Sequence, residues 1–378
     1  MAFRLLHTAD WQLGMTRHFL DADAQARSTQ ARLEAVVAMG RLAREQSCEA
    51  VVCCGDVFEH NAVDRKTISR ACEALATIQV PVFLLPGNHD PLDAASVFRS
   101  ATFLAKKPAN VRVLENADPI AVAPGVEIVG APWFSKRPLR DLVAAALEPL
   151  APKQAGVRIV VAHGAVDTLA PDPTNPALIA VAAAERAIAE GRLHYLALGD
   201  RHSLTDVGTT GRIRYAGTPE PTDYDEVEPG HVLVVDVASD GVKAQSHRTG
   251  TWAFRREKAE LTGAADVELL RTKLGAIADK ARTIVKLDLV GTLTVKQSAA
   301  LDDTLEEARL TLAALEISAR ASDLRVVPED ADFADVALAG FAATAVARLR
   351  ELAAGATPDA AAAREALGLV LRLAGSRA

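Results

Sequence analysis

The residues of this chain best suited to chemistry are polar side chains that follow short apolar segments. In chain order they are Asp10, Gln12, Asp56, Asn88, His89, Asp90, His163, Asp200 and His202. Carboxylate and amide oxygens with imidazole nitrogens, and no thiolate, suit Mn(II), Fe(II) or a similar ion better than a structural zinc. Two such ions about 3.5 to 4 Å apart bridge a phosphate oxygen and a water, and they activate the water for in-line attack. The set therefore predicts hydrolysis of a phosphate ester.

The elements that must position these side chains are buried strands separated by helices. Strands are predicted at residues 3–6, 50–54, 80–85, 127–131, 157–162, 195–198 and 231–237. Several of them have the Val- and Ile-rich continuity of buried strands. The carboxyl ends of strands in an open α/β sheet gather along one edge, so residues far apart in sequence converge there. Four glycines beside the candidate ligands suit tight turns at that edge, namely Gly55, Gly87, Gly164 and Gly199.

The ordered set of motifs resembles the calcineurin-like metallophosphoesterases, and in particular the SbcD-type nuclease subunits of bacterial double-strand-break repair. Gly-Asp at 55–56, Gly-Asn-His-Asp at 87–90, Ala-His-Gly at 162–164 and Gly-x-x-His at 199–202 carry the resemblance. Gly-Asp alone would mean little, but the ordered set is specific. The segment Tyr-Ala-Gly-Thr-Pro-Glu at 215–220 is similar to the one that closes the SbcD nuclease domain.

The resemblance implies a role for each candidate residue. One ion is implied at Asp10, Gln12, Asp56 and His202, and the other at Asp56, Asn88, His163 and Asp200. Asp56 would bridge the two ions, which are expected to be divalent and most of all Mn(II). His89 matches the family histidine that contacts the phosphate and stabilises the transition state or protonates the leaving oxygen. Asp90 is expected to orient the ring of His89.

Two of these positions depart from the family pattern, because Gln12 and Asp200 stand where histidine is common. Both substitutes can coordinate a metal ion. With Asp10 and Asp56, Asp200 makes three carboxylates, which leave about +1 on two dications where the usual arrangement leaves about +2. We expect tight metal binding and weaker activation of water.

The predicted fold class is α/β: a metallophosphoesterase four-layer α/β/β/α sandwich with a small α/β capping domain and a C-terminal helical tail. The predicted domains are 1–250, 251–332 and 333–378, and helices are predicted at 296–320, 333–353 and 358–373. In SbcD-like proteins the cap helps to place DNA, and the C-terminal helices dock on the coiled-coil base of an SbcC-type ATPase. The resemblance therefore implies DNA and such an ATPase as partners, and it leaves homodimerisation open.

Composition supports a folded protein without identifying its substrate. The 378 residues suit two domains with room for an appendage, and 49% hydrophobic with 24% charged residues excludes a disordered or fibrous protein. The net charge of −7 argues against a generally basic nucleic-acid binder, although metal cations at a site attract phosphates by themselves. Without a secretory signal pattern or a bilayer-length apolar run, the protein is expected to be soluble, cytoplasmic and independent of membranes.

Three function classes stay open at this point. The leading one is a metal-dependent DNA nuclease, an exonuclease with endonuclease activity also open, that hydrolyses phosphodiester bonds in double-strand-break repair with an SbcC-type ATPase. The second is a phosphodiesterase for a small nucleotide or another small phosphodiester at the same site. The third is a binding subunit in which Gln12 and Asp200 mark weakened catalysis. The cap and tail favour the first class, because an enzyme for small substrates needs neither.

Overall fold

In a computed structural model of the chain, residues 2–327, 340–355 and 358–375 are described. Their contacts divide the protein into two units: Met1–His18 with Gln25–Trp252, and Phe19–Ala24 with Ala253–Ala378. The predicted boundary between residues 332 and 333 lies outside the described residues. Among the described helices, none combines the length and the apolar character needed to cross a bilayer.

The first unit contains two six-stranded sheets. The strands of the first sheet are β1 (Phe3–Thr8), β2 (Ala50–Cys53), β3 (Val82–Leu84), β4 (Val111–Val113), β11 (His231–Val237) and β12 (Val242–Arg248). The strands of the second sheet are β5 (Ile120–Ala123), β6 (Val126–Ala131), β7 (Val157–His163), β8 (Tyr195–Gly199), β9 (Thr205–Val207) and β10 (Ile213–Tyr215). The strand orders are β12-β11-β1-β2-β3-β4 and β5-β6-β7-β8-β10-β9.

Helices cover the outer face of each sheet. They are α1 (Ala22–Glu45), α2 (Arg65–Leu75), α3 (Ala101–Lys106), α4 (Leu142–Leu147) and α5 (Val181–Ala189). The strand alternation of period two assigns the layers: in β1, Leu5 packs between the sheets, whereas Leu6 packs with the helical layer formed by α1, α2 and α3. Helices α4 and α5 pack on the other sheet. The predicted four-layer α/β/β/α sandwich is confirmed.

All seven predicted strands are present, and five further strands of this unit were not predicted. β12 shows why, because it alternates half-buried and exposed residues and its sequence is largely polar. Its register is set by the neighbouring β11, from His231 opposite Arg248 to Val237 opposite Val242. An edge strand of this kind takes its conformation from its partner rather than from its own hydrophobic pattern.

The second unit has its own sheet and core. Its strands are β13 (Ala253–Leu261), β14 (Thr283–Thr294), β15 (Ala314–Ile317) and β16 (Asp323–Val327), and its helices are α6 (Ala264–Gly275), α7 (Val295–Arg309), α8 (Phe341–Ala354) and α9 (Asp359–Gly375). β14 pairs in parallel with all three other strands. Helices α8 and α9 pack through a small apolar cluster that includes Val346 and Leu367. The unit is therefore an α/β module followed by two helices.

One helix prediction is wrong in its second half. The helix expected over 296–320 ends at Arg309, and residues Ala314–Ile317 form β15. The helix begins with a capping box at Thr294 and Gln297. Pairing with β14 overrides the helical preference of the Ala-, Leu- and Glu-rich segment that follows. Of the helix predicted at 333–353, residues 333–339 lie outside the described residues.

Candidate metal centre

The candidate ligands lie in loops whose backbone adopts a rare conformation. The φ angles are 55° at Asp10, 45° at Gln12, 53° at Asp56 and 96° at Asp200, in the left-handed region that non-glycine residues seldom occupy. Backbone hydrogen bonds hold these loops together: Asp10 N–H donates to Gly55 O (3.0 Å), and Gln12 N–H donates to Asp56 O (2.9 Å). Such strained positions cluster at functional sites when the surrounding structure enforces them.

Two glycines let the loops approach each other closely. A Cβ atom on Gly87 would lie 2.2 Å from Asp56 Oδ1, and one on Gly199 would lie 2.0 Å from Cys54 O. Any larger residue at either position would collide with a carboxylate or with backbone, which explains the glycines flanking the motifs. The turn chemistry noted in the sequence thus brings the loops that follow β2, β3 and β8 together.

His163 is the centre of the first group of converging donors. Its Nδ1 donates to Cys54 O at 2.8 Å, so Nε2 is the nitrogen left to bind a ligand. This Nε2 lies near three oxygens: Asn88 Oδ1 at 2.6 Å, Asp56 Oδ2 at 3.4 Å and Asp200 Oδ1 at 3.6 Å. The four residues implied for one ion therefore present their donor atoms to a common point.

The second group of donors surrounds the fully buried carboxylate of Asp10. His202 Nε2 lies 3.8 Å from Asp10 Oδ1 and 3.3 Å from the amide nitrogen of Gln12. The backbone N–H of Asp200 contacts both carboxylate oxygens of Asp10, at 3.2 and 3.1 Å. Asp10, Gln12 and His202 therefore meet as the sequence implied, beside the group centred on His163.

Burial and charge shape the protonation of this metal-free centre. Burial raises the pKa of the Asp10 carboxyl to about 7, because desolvation penalises the charged form. Burial opposes the charged form of His163, but the carboxylates of Asp56, Asp10 and Asp200 outweigh it and raise the pKa of this imidazole above its usual value. A divalent ion competes with these protons, so metal binding strengthens as the pH rises.

His89 lies at the edge of the centre, with its side chain 36% exposed. Its backbone N–H donates to Asp56 Oδ1 (2.9 Å), and its ring Nδ1 donates to Glu59 O (2.8 Å). The other ring nitrogen, Nε2, lies 3.9 Å from Asp56 Oδ2. The fixed ring therefore leaves Nε2 available to a substrate phosphate beside the centre.

The role predicted for Asp90 is wrong. Its carboxylate accepts the backbone N–H groups of Phe58 (2.9 Å) and Gly87 (2.8 Å), so it ties together the loops that follow β2 and β3. The ring of His89 is oriented by a backbone carbonyl instead. Asp90 is completely buried, which suits this anchoring role.

The motif at residues 215–220 fastens the metal loops from below. Tyr215 Oη donates to Gly164 O (2.8 Å), and Thr218 Oγ1 donates to Asp10 O (2.9 Å). The sequence indicated this segment only through its resemblance, and the contacts give its physical use. It positions the backbone of two loops that carry candidate ligands.

Two residues that contact His202 were missed by the sequence analysis. Thr222 Oγ1 and Glu226 Oε1 both face Nδ1 of His202, at 2.6 and 3.0 Å. Neither residue belongs to a motif or has ligand spacing, so nothing in the sequence marks them. Only the fold of the segment after β10 brings them to the ring.

The side chains present fit a pair of divalent ions. Gln12 Oε1 is buried and has no hydrogen-bond partner among the described residues, an arrangement that is rare unless another group satisfies the oxygen. Ligand atoms of Asp10, Asp56 and His163 all lie within 4.8 Å of one another. A donor set of oxygen and nitrogen without sulfur matches Mn(II)-like ions.

Comparison with known proteins defines the class. A model of the calcineurin-like phosphoesterase family matches residues 3–208, more than half of the chain, so the chain belongs to this family of metal-dependent hydrolases. It is similar to the SbcD subunit of the nuclease SbcCD from Rhodobacter capsulatus, with 26% identity over 361 residues, which cover 83% of this chain and 87% of that protein.

Solved structures are similar at a lower level. A protein of Thermus thermophilus has a TM-score of 0.43 and 11% identity, over 66% of this chain and 100% of that one. A dimetal phosphatase from Danio rerio has a TM-score of 0.39 and 11% identity, over 64% of this chain and 98% of that one.

Proposed function

We propose that the protein is a metal-dependent DNA nuclease that hydrolyses phosphodiester bonds in double-strand-break repair, working in the cytoplasm with an SbcC-type ATPase. The observation that carries the proposal is the convergence of carboxylate, amide and imidazole donors around Asp56. The similarity to a nuclease subunit along most of the chain supports DNA as the substrate.

The seven donor residues have distinct tasks in this proposal. Asp10, Gln12, Asp56 and His202 would hold one ion, and Asp56, Asn88, His163 and Asp200 the other; we expect both to be Mn(II). When bound, the ions supply charge that polarises the phosphodiester and activates a water. His89 contributes the chain's own chemistry, because its Nε2 can donate a proton to the leaving oxygen while Nδ1 stays bonded to Glu59 O.

The second unit is proposed to serve the substrate and the partner. Residues 251–332 would form a capping domain that positions DNA, and residues 333–378 a tail that docks on the ATPase. The contacts of the described residues place β13 to β16 and helices α6 to α9 in one unit, which supports a module separate from the nuclease domain.

We expect purified protein with Mn(II) to degrade linear DNA faster than it hydrolyses a small chromogenic phosphodiester. The reason is that the cap and tail add surface for a long polymer, whereas a small ester uses only the metal centre. Turnover of both substrates by one preparation is the measurement, with EDTA as the blank. Efficient turnover of the small ester without DNA cleavage would instead favour the small-substrate phosphodiesterase. Metal binding without either activity would favour a binding subunit.

Docking of the ATPase through the tail is tested by a surface substitution. Phe341, at the start of α8, is 88% exposed, and an exposed aromatic of this kind suits a partner interface. We expect Phe341→Asp to lose co-purification with a co-expressed SbcC-type ATPase while keeping Mn(II)-dependent hydrolysis. Leu310→Asp is the matched control, because Leu310 follows α7 and is 86% exposed. Equal co-purification of the two variants would refute docking through this surface.

A further inference from the structure

We propose that Glu226 is a positioning residue that holds the imidazole of His202 in the orientation and tautomer needed to bind a metal ion. The inference rests on the part of the proposed function that assigns His202 to the first ion. It does not depend on which phosphodiester is cleaved. Neither the sequence motifs nor the family match, which ends at residue 208, includes Glu226.

The hydrogen bonds around His202 fix which ring nitrogen carries the hydrogen. Nδ1 faces Thr222 Oγ1 at 2.6 Å and Glu226 Oε1 at 3.0 Å, and the hydroxyl of Thr222 is itself bonded to Glu226 Oε1. A carboxylate only accepts, so the hydrogen sits on Nδ1, and the lone pair of Nε2 faces Asp10 Oδ1 across 3.8 Å. A carboxylate behind a metal-binding histidine fixes the ring and raises its strength as a ligand.

Glu226 is itself held firmly. Its side chain is only 6% exposed, and its second oxygen accepts the backbone N–H of Thr222 at 2.9 Å. The segment that carries Thr222 is clamped by two arginines: Arg17 Nη2 donates to Thr222 O (2.6 Å), and Arg32 Nη2 donates to Pro221 O (3.1 Å). A buried carboxylate is costly unless it is bonded in this way. The contact with His202 is thus built in, unlike a mobile surface ion pair.

The composition of the first metal site gives this contact a use. Gln12 offers a neutral amide oxygen where a stronger imidazole is common in the family, so the site depends more on Asp10, Asp56 and His202. The negative charge of Glu226 behind His202 strengthens the one imidazole of this site. The other imidazole, His163, is held by a backbone carbonyl instead. The two ions should therefore differ in their dependence on Glu226.

Calorimetric titration of the full chain with Mn(II) tests the proposal without any hydrolysis assay. We expect Glu226→Gln to weaken one of the two Mn(II) sites by about 10- to 100-fold and to leave the other unchanged. Glu220→Gln is the matched control: Glu220 is also buried, but its carboxylate accepts from Thr251 and Trp252 and does not contact His202. The control should bind both ions as the wild type does. In a His202→Ala background, Glu226→Gln should cause no further loss.

Unchanged titration of Glu226→Gln, or an equal loss at both sites together with a lowered melting temperature in EDTA, would overturn the proposal, since the latter indicates a purely structural role. If Glu226→Gln does not fold, Thr222→Val removes only the hydroxyl and should weaken the same site to a smaller extent; no change would again contradict us. If the wild type binds two ions and the variant loses one, yet neither protein cleaves DNA, the nuclease proposal fails while the positioning role stands.

Discussion

Replacing Asp56 by alanine should abolish hydrolysis, with a loss of more than about 10³-fold, because a single electrostatic element of an active site already contributes 10² to 10³. Asp56 belongs to both donor groups, and its side chain is only 3% exposed. The variant should also lose both Mn(II) ions in a calorimetric titration. Mn(II) should raise the melting temperature of the wild type, since a ligand at 100 times its Kd adds about 2.7 kcal/mol, and should leave that of the variant unchanged.

Asp236→Ala is the matched control for this substitution. Asp236 is also a carboxylate on the same sheet, but it pairs with Arg4 at 2.7 Å and its side chain is 30% exposed. Its loss should cost at most about 1 kcal/mol of stability, as for other surface ion pairs, and should preserve Mn(II) binding and turnover. An Asp56→Ala protein that still binds two ions, or still cleaves DNA above the blank, would contradict the proposed centre.

His89→Ala should lower the turnover of DNA by about 10² to 10⁴-fold, the usual contribution of a general acid or base, while both Mn(II) ions stay bound. The reason is that the ring of His89 lies beside the centre, held by Glu59 O, and does not belong to either donor group. Single-turnover kinetics on DNA together with a Mn(II) titration separate the two effects. The loss should shrink on a substrate whose leaving group needs no proton.

His231→Ala provides the control for His89. The ring of His231 also contacts a backbone carbonyl through Nδ1, here that of Glu228 at 3.0 Å, but no candidate ligand is among its partners in the described part of the chain. Wild-type turnover is expected for this variant. Loss of metal from His89→Ala would show that His89 supports the centre structurally, and normal turnover would remove it from the reaction.

The sequence was most informative where chemistry and hydrophobic pattern coincide. Buried strands such as β7 are continuous runs of apolar residues, and each leads into a motif, so both the strands and the meeting of their loops could be predicted. What the pattern could not reveal is that two sheets contribute to one centre, with Asp56 from the first and His163 from the second. That arrangement depends on the packing between the sheets.

Predictions that depended on local preference or on backbone partners were less successful. The segment containing β15 looks helical by composition, and only its pairing with β14 makes it a strand. The sequence does not show that the oxygens of Asp90 are used by backbone N–H groups, or that a carbonyl holds His89. Glu226 reaches His202 across 24 residues of chain, a distance over which sequence spacing carries no information.

The placement of β1 has a consequence for how the protein is made. β1 lies between β2 and β11, and Phe3 pairs with Val237. During synthesis from the amino terminus, one edge of this first strand therefore stays open until about the end of β11 has left the ribosome. Pairings of such long sequence separation form slowly, and an open edge invites association with other chains. The nascent polypeptide is thus most exposed to aggregation over the first two thirds of its translation.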